Sequence, residues 1–233
     1  MGNPGTGREA DDRVRIAVFD FDGTCIDGNS PVLLVRHLAL RGMLSPSVVG
    51  RILLWGAAYK LHLPQNESWV RGLVFSAFEG KPKSEVDDFL ARFYDEKIDA
   101  IVRPRALAEI DRRRAQGMVI VSVSATFSPI VKRAIERRHL FDHGIATGMK
   151  VDESGRYTRE VACTPTEGAE KPLALARWAD ATYGEGNWVL AAAYGDHYSD
   201  RPLLESADAP YAVTPGPTLA RFARETGWPI LEW

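Results

Sequence analysis

The stretch that decides the fold is Val18–Asp27, "VFDFDGTCID". An apolar run, "RIAVF" (Arg15–Phe19), stops abruptly at Asp20, Asp22 and Gly23. A short apolar run bounded by Asp-Gly reads as a buried strand followed by a turn. Like charges crowded where a strand ends repel one another unless a cation or a catalytic task holds them there. The alternative is a plain acidic turn, in which Asp side chains cap their own backbone.

Two further stretches repeat the pattern. "GMVIVSVSAT" (Gly117–Thr126) ends on hydroxyls, and "WVLAAAYGD" (Trp188–Asp196) ends on a carboxylate. "APYAV" (Ala209–Val213) is a shorter candidate, and another strand is expected around Gly144–Gly148. "MKVDESGRYT" reads as a hairpin turning at Glu153-Ser154-Gly155. Helical patterns lie between them. "RALAEIDRRRAQG" stops at Gly117, and "SPIVKRAIERR" opens with Ser128 as expected N-cap and Pro129 at the first helical position. "EKPLALARWADATYG" and "PTLARFARETG" follow. Strands alternating with helices predict an α/β fold, a Rossmann-like parallel sheet covered on both faces.

Residues 31–102 break the rhythm. They sit between the first and second strands, where a crossover of about 10–30 residues would suffice. They carry no convincing strand and read as helices over Val32–Leu40, Pro46–Leu61, Glu67–Phe78 and Lys83–Ile98. The expected organisation is therefore a tail over residues 1–13, a core over 14–30 and 103–233, and an inserted helical module over 31–102. The tail is polar and glycine-rich, without the apolar segment of a signal peptide, and is expected to be disordered.

Composition narrows the class. The chain has 233 residues, 45% hydrophobic and 26% charged, with a formal net charge of -2. That balance gives no global attraction to nucleic acid. The basic runs Arg112-Arg113-Arg114 and Arg137-Arg138 read as solvated helix faces. Two isolated cysteines, Cys25 and Cys163, suit a reducing cytoplasm better than a disulfide framework. "ILLWGAAYKLHL" (Ile52–Leu63) is interrupted by Lys60 and His62 and falls short of the roughly 20 residues of a spanning helix. It fits an interfacial helix or a buried one equally well.

In a doubly wound sheet, ligands bind beyond the carboxyl ends of the strands. Those ends supply Asp20 and Asp22, then Ser124 and Thr126, then Asp196 with Asp200 four residues on; Lys171 opens a helix. Carboxylates from two strands suit a hard cation such as Mg2+. One carboxylate can attack phosphorus, and a second can move protons. Lysine and serine can stabilise charge on phosphoryl oxygens. Gly23 allows a tight turn beside them.

The segments "DFDGT", "SVSAT", "EGAEKP" and "GDHYSD", in this order, resemble the haloacid dehalogenase-like (HAD) hydrolase superfamily. The stretches "SATFSPIVK", "DESGRYT" and "AAYGDHYSDRPLLE" are similar to its phosphoserine-phosphatase-like branch, subfamily IB. The resemblance implies Asp20 as nucleophile and metal ligand. It implies Asp22 as general acid/base, with its backbone carbonyl on the metal, and Asp196 as the other protein carboxylate. Ser124 and Lys171 would hold the phosphoryl group, Asp200 would support Lys171 or the metal's surroundings, and Thr24 would fix the first loop. Ser124 is preferred over Ser122 because it lies at the strand end. The insertion falls where this branch carries its helical C1-type cap. Asp22 argues against dehalogenation, since a leaving halide needs no proton.

The expected activity is a Mg2+-dependent phosphatase working through an aspartyl-phosphate. Its substrate would be a small phosphomonoester or, second, a lysophospholipid-type phosphate. The alternatives are a phosphotransferase or mutase using the same intermediate, and a phosphate-binding protein without catalysis. No nucleic-acid partner and no stable membrane span are expected. Arg71 is the cap arginine available to a substrate carboxylate, although the pattern around it does not match. His197 reads as a loop residue, with substrate contact as the minor alternative, and Asp27 as the start of the cap linker.

Overall fold

The computed structural model describes residues 12–44, 47–48, 50, 72, 74–162 and 164–233. Six parallel strands form the main sheet in the order β3-β2-β1-β6-β7-β8. They are β1 (Val14–Phe19), β2 (Val119–Phe127), β3 (His143–Thr147), β6 (Trp188–Gly195), β7 (Pro210–Val213) and β8 (Ile230–Leu231). A separate antiparallel pair, β4 (Met149–Val151) and β5 (Tyr157–Val161), is the expected hairpin. Among the described residues the α-helices are α1 (Ser30–Leu40), α2 (Lys83–Phe93), α3 (Pro104–Ala115), α4 (Ser128–Arg138), α5 (Glu170–Tyr183), α6 (Arg201–Glu205) and α7 (Pro217–Thr226). None is long and apolar enough to cross a membrane.

The sheet is buried on both sides because its strands alternate between two apolar clusters. Ala17, Phe19 and Ile120 face one cluster, and Ile16, Val18, Val121 and Val123 face the other. The chain runs outward from β1 toward β3 on one side, and through β6 toward β8 on the other. β1 is therefore the point where the strand order reverses, which is where such sheets open a crevice. Phe19 Cα is in register with Ser122 of β2 and Tyr194 of β6, so β1 and β6 end together while β2 runs on past them to Phe127.

The chain between β1 and β2 departs and returns on two stretches that lie side by side. Asp27 N donates to Ile101 O at 2.8 Å, and Arg103 N donates to Cys25 O at 2.9 Å. Arg103 also pairs with Asp27 at 3.0 Å. The hairpin bonds to the segment just before α2: Gly80 N donates to Tyr157 O at 2.8 Å, and Tyr157 N donates to Lys81 O at 3.0 Å. Arg133 and Arg138 of α4 bind Asp95 and Asp99. One apolar cluster joins Phe19 and Phe21, at the end of β1, to Phe75, Phe78, Leu90 and Phe93 from the chain between β1 and β2.

Three expectations change. Arg113 is 7% exposed, not on a solvated face. The packing of α3 turns it toward the sheet, where Nε donates to Glu109 at 2.9 Å and to Tyr194 Oη at 2.6 Å. Ser128 is not the N-cap of α4. β2 stays extended through Phe127, which takes the cap position, so Ser128 is already helical and no side chain caps that end. The helix expected over Lys83–Ile98 ends at Phe93 and widens into a π turn over Tyr94–Ile98. The tail of residues 1–11, most of the helices expected over Pro46–Leu61 and Glu67–Phe78, Arg71 and Cys163 lie outside the described residues.

Candidate active site

Asp20 follows the last residue of β1 and is 7% exposed, with its N–H donating to Tyr194 O at 2.9 Å. The neighbouring strand thus fixes its backbone, and the carboxylate emerges at the sheet's reversal point. Lys171, at the second residue of α5, is 3% exposed. Its Nζ donates to Asp20 Oδ1 at 2.8 Å and to Asp200 Oδ1 at 2.6 Å. Asp200 is buried at the end of a 3-10 turn (Tyr198–Asp200). Its other oxygen accepts from His197 N at 3.0 Å.

Asp196 stands just beyond β6, and Thr24 Oγ1 donates to its Oδ1 at 3.1 Å. Gly23 makes this approach possible. Its φ is +73°, and a Cβ there would collide with the Asp196 carboxylate. Gly195 plays the same part for Asp200, because a Cβ would lie 2.8 Å from Asp200 Cβ.

One carboxylate oxygen from each of Asp20, Asp196 and Asp200 lies within 4.8 Å of the others. Burial raises Asp20 to about 8; Lys171 opposes the shift, while Asp200 and Asp196 add to it. Burial likewise raises Asp196 to about 6, with Asp200 adding to the shift. Lys171 is held above the ordinary lysine value: burial would lower it, but Asp20 and Asp200 outweigh that. Three carboxylates, two of them buried and Asp196 partly so, thus gather around one ammonium, an excess of acidic groups that a divalent cation would balance. The donors are all oxygens, which suits a hard ion such as Mg2+ rather than a soft one.

Asp22 is not part of that trio. Its Oδ1 accepts from Ser30 N at 2.6 Å, and its Oδ2 accepts from Ser30 Oγ at 3.0 Å and from Thr126 Oγ1. Burial raises its pKa, against the pull of those hydrogen bonds. Ser124 is buried; its Oγ donates to Thr126 Oγ1 at 3.2 Å and accepts from Thr126 N at 3.2 Å. Ser122 lies inside the sheet with a buried Oγ that has no partner among the described residues.

The predicted residues therefore gather into two neighbouring groups. Asp20, Lys171, Asp196, Asp200, Thr24 and Gly23 form one, and Asp22 and Ser124 join the other through Thr126. Sequence reading noted Thr126 only as a strand-end hydroxyl and passed over Ser30. The signal for Ser30 was available, because Asn29 caps α1 by accepting from Val32 N at 3.1 Å and so places Ser30 at that helix's first residue. His197 is an exposed turn residue whose Nδ1 accepts from Ser199 N at 3.2 Å, as a loop role predicts.

A family model described as haloacid dehalogenase-like hydrolase matches residues 17–205. A histidinol-phosphatase from Neisseria meningitidis serogroup C is 26% identical over 235 residues, covering 94% of this chain and 98% of the relative. A solved protein of unknown function from Bordetella pertussis Tohama I aligns with TM-score 0.82 and 23% identity, covering 94% of this chain and 98% of that one. A substrate-bound phosphoserine phosphatase structure aligns with TM-score 0.62 and 19% identity, covering 94% and 93%.

Proposed function

The chain belongs to the haloacid dehalogenase-like hydrolase family, and we propose that it hydrolyses a small phosphomonoester through an aspartyl-phosphate on Asp20. The observation that carries this reading is the position of Lys171 Nζ, 2.8 Å from Asp20 Oδ1 at the end of β1, with the acid/base candidate Asp22 two residues on.

Asp20 attacks phosphorus, forming an O–P bond as the ester P–O bond breaks. Asp22, protonated, gives its proton to the departing alkoxide oxygen, so an alcohol leaves. Asp22 then takes a proton from water, whose oxygen attacks phosphorus and breaks the bond to Asp20. Inorganic phosphate leaves, and both aspartates return to their starting states. Lys171 and Ser124 supply donors to the phosphoryl oxygens in both steps. Asp20, Asp196 and Asp200 would hold Mg2+, with the carbonyl of Asp22 as a further donor; the ion would neutralise the phosphoryl charge. Asp200 otherwise keeps Lys171 aimed at Asp20.

The substrate class follows from the family and from relatives named for histidinol phosphate and phosphoserine. The insertion of residues 31–102 is read as the cap that selects the alcohol part, and a cytoplasmic setting suits such metabolite chemistry. The lysophospholipid variant rests on residues 52–63, outside the described part.

The test is phosphate release with Mg2+ from a panel that includes phosphoserine, histidinol phosphate, glycerol phosphate, lysophosphatidate and p-nitrophenyl phosphate. Wild-type protein is set beside Asp20→Asn. Turnover that disappears in the variant supports the reading. Turnover that survives in Asp20→Asn, or none from folded wild-type protein, overturns it. Added alcohol acceptors report transfer, because a phosphotransferase would yield new esters in place of inorganic phosphate.

A further inference from the structure

Asp22 is gripped by a side chain to which the reaction above gives no task. Thr126 is fully buried, and its Oγ1 meets Asp22 Oδ2, Ser124 Oγ at 3.2 Å and Ser30 Oγ at 3.1 Å. Among the described residues, it alone hydrogen-bonds the acid/base candidate, the phosphate-side serine and the first residue of α1.

The backbone is shaped to put it there. β2 pairs with β3 through Ser124↔Ala146 and then Phe127↔Thr147. Ala125 and Thr126 are thus extra residues on β2 opposite a single step on β3. An irregularity of this kind unpairs the strand locally and re-aims a side chain. Thr126 and Ser124, two apart on one strand, share a face, which lets the hydroxyls bond each other while Thr126 turns its proton to Asp22. The donor order runs Ser124 to Thr126 to Asp22, so the two functional groups cannot be placed independently.

We propose that Thr126 is a positioning residue. It fixes the direction from which Asp22 protonates the leaving oxygen, and it ties that direction to Ser124. The assignment rests on the phosphomonoesterase reading and deepens it. A valine would fill the same volume and remove only the hydroxyl, so Thr126→Val isolates the hydrogen bonds.

The experiment measures kcat/KM for an alkyl phosphate and for p-nitrophenyl phosphate, with wild type, Thr126→Val, Thr126→Ala and Thr126→Ser. This constant covers the steps up to departure of the alcohol. An alkoxide needs the proton that Asp22 supplies; p-nitrophenolate leaves without it. Thr126→Val should lower the alkyl value roughly tenfold or more, the aryl value much less, and Thr126→Ser should restore the alkyl value. If Thr126→Val does not fold, Thr126→Ala carries the comparison. Equal loss on both esters, or no loss, assigns Thr126 to structure alone and overturns the proposal while leaving the phosphatase reading intact. The alkyl ester is the one turned over fastest in the panel above; folded wild-type protein that turns over no ester of that panel removes the phosphatase reading, and this assignment with it.

Discussion

Gly23 leaves the space that the Asp196 carboxylate fills. The two residues lie 173 positions apart, and a Cβ on Gly23 would overlap Asp196 Oδ2, Cγ and Oδ1 together. The collision is with a side chain already tied to Thr24 and packed beside Asp200, so it cannot swing away freely. The φ of +73° adds strain for any L side chain.

Gly23→Ala is therefore expected to shift Asp196 out of the carboxylate trio. A displacement of about 1 Å at such a site costs on the order of 100-fold in rate. Measured kcat should fall accordingly, and the Mg2+ concentration needed for half-maximal turnover should rise. A variant with wild-type Mg2+ response would show that Asp196 does not depend on this approach.

The carboxylate trio also sets a pH dependence. Asp20 and Asp196 are raised to about 8 and about 6, from about 4 in an unfolded chain. A raised folded-state pKa means that the folded protein binds protons more tightly than the unfolded one. Its stabilising contribution is complete below about pH 4 and is lost as pH rises through the folded values. In EDTA, Tm should therefore fall between pH 5 and pH 8.5. Added Mg2+ should raise Tm most at pH 8 and least at pH 5, because protons and the cation compete for the same oxygens. A Mg2+ shift of Tm that is equal across this range would argue against binding at these carboxylates.

The core was legible from sequence because its signals are local. β1, β2 and β6 each read as an apolar run ending in a polar residue, and the structure gives Val14–Phe19, Val119–Phe127 and Trp188–Gly195. Asp20, Asp196 and Lys171 were legible because they stand at element ends, where a parallel sheet gathers its ligands. What sequence could not give was side-chain direction. Nothing in "SVSAT" says that the strand slips its register after Ser124 and aims Thr126 at Asp22. Nothing in "DRRR" separates Arg113 from its neighbours either, since only the packing of α3 on the sheet shows which arginine faces inward.

That packing yields a contrast between adjacent arginines. Arg113 is buried against Glu109, Tyr194 and Tyr211, with its guanidinium 5.2 Å from the Tyr211 ring. Arg112 is half exposed and shares Glu109 at the surface. Removing one member of a buried charged pair costs about 3 kcal/mol or more, whereas an exposed pair is worth about 1 kcal/mol or less. Arg113→Ala should therefore lower urea-unfolding stability several-fold more than Arg112→Ala. Neither substitution should alter KM, because the cluster lies among α3, β6 and β7 and not among the site residues. Equal losses would mean that Arg113 gains little from its burial.

His197 offers a test of the cation assignment from the other side. It follows Asp196 directly, so a metal-ligand role is the natural competitor to a turn role. The geometry favours the turn. His197 Nδ1 accepts from Ser199 N and meets Ser199 Oγ at 2.8 Å, while Asp200 accepts from His197 N to close the cap. Imidazole also suits softer ions than the oxygen trio beside it. His197→Ala should thus cost roughly 1 kcal/mol or less of stability, as a lost cap does. Half-saturation by Mg2+ should stay within about twofold of wild type, since none of the oxygens assigned to the ion is removed. His197→Asn, whose side chain can still accept from the turn, should recover the stability. A large loss of Mg2+ affinity in His197→Ala, not repaired by His197→Asn, would instead place the imidazole on the ion and require the set of Asp20, Asp196 and Asp200 to be redrawn.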